Sequence, residues 1–132
     1  MVAKKHGIVD SVTMVSLESP WEYLNFIRSP HPSVLIFLAN WCGDCLFLAQ
    51  YFPAIEKRFQ NTVNFASVDA EAFPHQVHLH HVVGVPSLIL FQESQEIFRF
   101  VTTRRKTAPE VVDFLEKGLQ LIAHRRNYGN SV

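Results

Sequence analysis

From Val34 to Ala39 every residue is apolar, the longest such run in the chain. An uninterrupted run of this length predicts a strand covered on both faces, at the middle of a sheet. The next apolar positions, Cys45, Leu48, Phe52, Ile55 and Phe59, recur at intervals of three, four, three and four. That spacing draws one stripe along a helix from about Gly43 to Phe59, and Pro53 inside it predicts a bend. Ahead of the central strand, Ser19-Pro20-Trp21-Glu22 combines a hydroxyl cap, a proline at the first helical position and a glutamate at the third. A short helix is therefore predicted from Pro20 to about Arg28. Asn64 to Asp69 reads as a strand, and Phe73 to Val83 as weakly helical. Ser87 to Gln92 and Glu96 to Val101 read as two strands joined by a hairpin turn at Glu93-Ser94-Gln95. Thr107-Ala108-Pro109-Glu110 is a second capping box, and Val111, Leu115, Leu119 and Ile122 stripe a last helix. The tail after His124 is expected to fray, and a further strand is expected near Ser11 to Leu17.

The order helix, strand, helix, strand, helix, strand, strand, helix calls for an α/β fold, with a mixed sheet of four to five strands and helices on both faces. No repeat, low-complexity run or linker divides it, so residues 1–132 read as one domain with a core over about 12–123. A chain of 132 residues, 48% hydrophobic and 18% charged, can bury about two-thirds of its surface and is not disordered. Its net charge of zero provides no field toward nucleic acid or an anionic membrane. The basic triplet Arg104-Arg105-Lys106 reads as a solvated loop. No apolar run approaches the roughly 20 residues of a membrane helix, and Met1 to Val15 lacks the apolar stretch of a secretory signal. These features predict a cytoplasmic location, with neither nucleic acid nor membrane as partner.

The only two cysteines, Cys42 and Cys45, stand three positions apart in FLANWCGDCLFLAQ. In a reducing compartment such a pair is catalytic or metal-binding more often than structural. A staple closing four residues removes little chain entropy, about 2 kcal/mol against nearly 5 for a hundred-residue loop. A structural zinc site needs four ligands, and with no second cysteine pair two would have to be histidines. A redox pair is the favoured reading. Cys42 falls just ahead of the second helix, where unpaired amide hydrogens and the positive helix end favour an anion, which makes it the expected nucleophile. Cys45 lies one turn inside, on the apolar stripe, placed to attack back on Cys42 in thiol–disulfide exchange with no further cofactor.

Asn40-Trp41-Cys42-Gly43-Asp44-Cys45 after an apolar strand, followed some forty residues later by Gly84-Val85-Pro86-Ser87-Leu88, resembles thioredoxin. The likeness spans about residues 12 to 123 and is greatest to small bacterial thioredoxin-like proteins with aspartate between the cysteines. It implies a thioredoxin fold and a disulfide reductant cycling between a Cys42/Cys45 dithiol and its disulfide. Protein disulfides would be the substrates, and a reductase or other dithiol the electron donor. Trp41, Gly43 and Asp44 would surround the sulfurs. The resemblance further implies a cis Val85-Pro86 peptide beside them, with Trp41, Gly84, Val85 and Pro86 forming a rim on which an extended substrate pairs through the backbone. The chain also departs from the family's usual pattern. Ile36 stands where a buried aspartate is usual, Asp44 replaces a proline, Leu46 replaces a basic residue, and a glycine expected near Thr102 is absent. The missing acid sustains a rival reading, a client- or metal-binding module whose dithiol serves as a redox sensor. His75, His78, His80 and His81 crowd the segment leading into Pro86. His75, His78 and His81 share one helical face, but the preferred reading is a partly exposed polar helix, with His80 or His81 at the rim of the site.

Overall fold

In the computed structural model, which describes residues 14–129, the elements run β1 (Val15–Ser16), α1 (Pro20–Arg28), β2 (Ser33–Leu38), α2 (Gly43–Phe59), β3 (Asn64–Asp69), α3 (Pro74–Leu79), β4 (Ser87–Gln92), β5 (Gln95–Phe100) and α4 (Ala108–Gly129). The five strands form one sheet in the order β1-β3-β2-β4-β5. β3 runs parallel to both β1 and β2, whereas β4 is antiparallel to β2 and to β5.

β2 occupies the middle because it is apolar on both faces, and all six of its residues are buried. Val34, Ile36 and Leu38 point into a cluster with Leu48, Phe52 and Ile55 of α2 and Val111, Phe114 and Leu115 of α4. Leu35 and Phe37 point the other way, into a cluster with Tyr23 and Ile27 of α1 and with Phe73 and Val82, which flank α3. Alternation along one strand thus builds two cores. Each such side chain contributes about 1.5–3 kcal/mol when fully buried.

The caps form as the sequence requires. Ser19 Oγ accepts from Glu22 N at 3.1 Å, and Thr107 and Glu110 satisfy each other's amides at the start of α4. α2 continues through Pro53 without a break. Several boundaries differ from the sequence prediction. The β4–β5 turn has two residues, Glu93 and Ser94, both with positive φ (53° and 67°), and Gln95 already belongs to β5. Neither is the glycine or asparagine such a turn usually takes. The conformation is instead held from outside, because Glu93 N donates to Ser29 O at 2.9 Å and Ser94 N to Ile27 O at 2.8 Å at the end of α1. α3 is shorter than the polar segment suggested, and α4 runs on to Gly129 rather than ending at His124. Of the strand expected near Ser11 to Leu17, Val15–Ser16 is present, and Ser11 to Thr13 lie outside the described residues. Where the outer strand β5 pairs with β4, register shifts between Leu90 and Phe91 of β4, and within β5 Glu96 and Arg99 form an ion pair at 2.6 Å.

At Gly118 the backbone of α4 lies close against the sheet. A Cβ there would stand 2.5 Å from Leu90 Cδ2, and Leu90 is fully buried. Gly118→Ala should therefore destabilise the protein by about 1–3 kcal/mol through overpacking, despite alanine's better helix propensity. Urea unfolding of both forms measures this, and a stabilised variant would show that α4 sits farther from β4.

Candidate active site

The chain leaves β2 at Leu38, turns with Cys42 N donating to Ala39 O at 3.3 Å, and enters α2 with Cys42 as its N-cap. The Cys42 sulfur accepts from Cys45 N at 3.3 Å, the position in which a serine or aspartate oxygen usually satisfies a first-turn amide. The nucleophile expected from the sequence is thus held by the helix it precedes. Its thiol donates to Val85 O at 3.4 Å, which brings the second motif onto the first. The Val85-Pro86 peptide is cis, and Pro86 is buried while Val85 is half-buried.

Cys42 is 7% exposed and Cys45 is fully buried, and both are free thiols. Gly43 is exposed, and a Cβ added there would meet nothing within 4 Å. Trp41 is 69% exposed and tied down by its indole N–H, which donates to Glu71 Oε2 at 2.8 Å. Gly84 has a second role not evident from the sequence. A Cβ there would approach Thr102 O to 3.1 Å, so glycine allows the Pro86 loop to lie on the chain after β5.

Burial pushes the Cys45 thiol up to about 12, with Cys42 and Asp44 adding to the rise and a backbone hydrogen bond at Ala39 opposing it. Ile36 lies fully buried in the same cluster as both cysteines, so no carboxylate reaches Cys45 from that position of β2. Of the triplet read as a solvated loop, Arg104 and Arg105 are exposed as expected, but Arg105 reaches the site and Lys106 is buried. Arg105 Nε donates to Asp44 Oδ1 at 2.9 Å, and its guanidinium lies 4.4 Å from the centre of the Phe47 ring. Lys106 is 1% exposed. Nothing in the periodicity marks these residues, because their environment is created by α2, which lies some sixty positions earlier.

The histidines divide differently from the sequence reading. His75, His78 and His81 are exposed, and no group of three or more metal-ligating side chains forms among the described residues. His80 does not touch the site. It packs against Tyr23, Phe37 and Phe91 on the opposite face of the sheet, shares a hydrogen bond between its Nε2 and the Tyr23 hydroxyl, and its carbonyl accepts from Arg99. Burial holds its pKa below the usual 6.5.

A model of the family described as Thioredoxin matches residues 14–117. A thioredoxin of Mycolicibacterium smegmatis is 32% identical over 101 residues, 75% of this chain and 89% of that one. Thioredoxin C-3 of Corynebacterium nephridii is 33% identical over 99 residues, 74% of this chain and 66% of that one. A bifunctional thioredoxin reductase/thioredoxin of Mycobacterium leprae is 30% identical over 106 residues, which are 80% of this chain but 22% of that protein's length. Among solved structures, thioredoxin from Trypanosoma brucei brucei superposes with a TM-score of 0.69 at 21% identity, covering 94% of this chain and 99% of that one.

Two outcomes follow from these charges. Asp44 opposes an anion at Cys42 but is partly neutralised by Arg105, so Asp44→Asn should speed alkylation of Cys42 at neutral pH by about two- to fivefold. Competition between iodoacetamide and a reference thiol reads the rate, and a slower variant would contradict this account. At His80 the unfolded chain binds a proton near pH 6.5 and the fold resists it, so stability is present above that pH and is lost as pH falls through it. Urea midpoints between pH 7 and 5 should fall more steeply for the wild type than for His80→Gln.

Proposed function

The chain belongs to the thioredoxin family, has its fold and is a thiol–disulfide oxidoreductase; on that premise we propose that it reduces protein disulfides in the cytoplasm, residues 1–132 acting as one domain. The observation that carries this reading is the placement of the two sulfurs. Cys42 caps α2 beside the cis Val85-Pro86 turn, and Cys45 lies sealed behind it.

In the cycle, the Cys42 thiolate attacks one sulfur of a substrate disulfide, and the other substrate sulfur leaves with the bonding pair and takes a proton. Cys45 then gives up its proton and attacks Cys42, releasing the second substrate sulfur. The Cys42–Cys45 disulfide is returned to the dithiol by two electrons from a reductase or another dithiol. A relative that carries thioredoxin reductase and thioredoxin in one protein supports a reductase of that class as the donor. The exposed Trp41, with Gly84, Val85 and Pro86, would form the rim on which an extended segment pairs through its backbone. No cofactor beyond the two sulfurs is needed. A second reading, a client-holding module with slow turnover, draws on Ile36, which provides no proton acceptor beneath the pair.

The direct test is turbidimetric reduction of insulin by dithiothreitol. The wild type should accelerate it, and Cys42→Ser should fall to the rate of dithiothreitol alone. Cys45→Ser should instead accumulate a client joined to Cys42. Equal rates for wild type and Cys42→Ser would reject the cycle, and trapping of clients without turnover by the wild type would favour the second reading.

A further inference from the structure

The loop between β5 and α4 reaches the site at two points. A Cβ at Gly84 would lie 3.1 Å from Thr102 O and 3.5 Å from Thr103 Cα, so the loop abuts the turn that carries Val85 and Pro86. Farther along the same loop, Arg105 Nε donates to Asp44 Oδ1 at 2.9 Å, and Asp44 stands between the two cysteines in the first turn of α2. The guanidinium is held a second time, 4.4 Å from the centre of the Phe47 ring one turn along α2. Even so, the side chain is 55% exposed. A guanidinium has five N–H donors in a rigid fork, and the bond to Asp44 uses one of them. An arginine so fixed, yet facing solvent, is preorganised to take a second anion. The other charges beside the site are engaged elsewhere. Glu71 accepts from the Trp41 indole, Arg104 is drawn toward α4 by Glu110 at 3.2 Å, and Lys106 is buried. Arg105 is the cation of the triplet that touches the turn between the cysteines and stays open to solvent.

We propose that Arg105 is a specificity-determining residue, its exposed donors taking a carboxylate from an acidic side chain beside the disulfide of a protein substrate. This rests on the Cys42/Cys45 cycle proposed above. A substrate segment paired along Gly84-Val85-Pro86 with its sulfur at Cys42 runs past the loop that abuts Gly84. An aspartate or glutamate next to the substrate cysteine then comes within an arginine's reach. The bond changes remain those of the cycle. A bond forms from Cys42 to one substrate sulfur as the substrate disulfide breaks, and the Cys42–Cys45 bond then forms as that mixed disulfide breaks. Two electrons pass from the dithiol to the substrate, each released sulfur takes up a proton, and Arg105 keeps its own protons throughout. Asp44 shares the guanidinium and the pairing is exposed, so the preference is modest, a factor of about two to five.

The test mixes the prereduced protein with either of two synthetic peptides, each closed by one internal disulfide and carrying glutamate or glutamine on both sides of one cysteine. Acid quenching and chromatography read the reduced peptide, and each rate is divided by that of dithiothreitol on the same peptide. The wild type should favour the glutamate peptide by about two- to fivefold, and high salt should bring the ratio toward one. In Arg105→Gln the ratio should fall to about one, whereas Arg104→Gln should keep the wild-type ratio. A variant Arg105→Gln that slows both peptides equally acts through Asp44 alone and overturns the proposal, as does an equal loss of preference in Arg104→Gln. A ratio of one in the wild type overturns the role of Arg105 and leaves the dithiol cycle standing. Failure of the wild type to reduce either peptide overturns the cycle and this inference together. The wild-type ratio and its salt dependence decide the matter even if Arg105→Gln does not fold.

Discussion

A single contact, the N–H of Cys45 directed at the sulfur of Cys42, sets the geometry of this molecule's chemistry. It places one cysteine at the open end of a helix and the other one turn inside, with the second buried among the residues that hold the helix to the sheet. Everything upstream positions that contact. β2 is apolar on both faces and so must be central, its last residue must deliver the chain to the start of α2, and the α2 stripe must seat on Ile36 and Leu38. The Val85-Pro86 turn then approaches from β4, the other neighbour of β2, and meets the thiol through the Val85 carbonyl.

Much of this was legible because the governing signals are local. Capping boxes, a six-residue apolar run and a three-four spacing placed α1, β2, α2 and the start of α4 without reference to distant parts of the chain. The cysteine pair was legible for the same reason. The parts that escaped depend on neighbours remote in sequence. The turn at Glu93-Ser94 has no glycine because carbonyls at the end of α1 hold it. Lys106 looks like a loop cation until the Phe100 ring covers it and Tyr51 of α2 takes hold of its carbonyl. His80 lies in a polar stretch, yet the reversal at His81, with φ of 53°, accompanies its entry among the aromatic side chains of the opposite core. The placement of Val85-Pro86 was available through family resemblance, since a single Val-Pro pair says nothing of its isomer.

The electrostatics of the site are correspondingly distributed. An acid within β2 would have been readable from one position. Here charge arrives from the loop before α4, where Arg105 engages Asp44 and Lys106 lies inward. A backbone hydrogen bond at Ala39 and the desolvated surroundings act on Cys45 in opposite senses, and burial prevails. The two thiols are thereby made unequal, one at a rim and one enclosed.

The outer strand β5 gives that rim a further meaning. On the proposed reading, in which extended polypeptide pairs along the backbone at that rim, a sheet edge is a second place where such a chain could add. The register shift at Leu90/Phe91 and the Glu96–Arg99 pair are the irregularity and charge that discourage a foreign chain from zipping onto an open border. The fold thus guards this flank of the sheet while the rim beside Cys42 stays open to the proposed pairing.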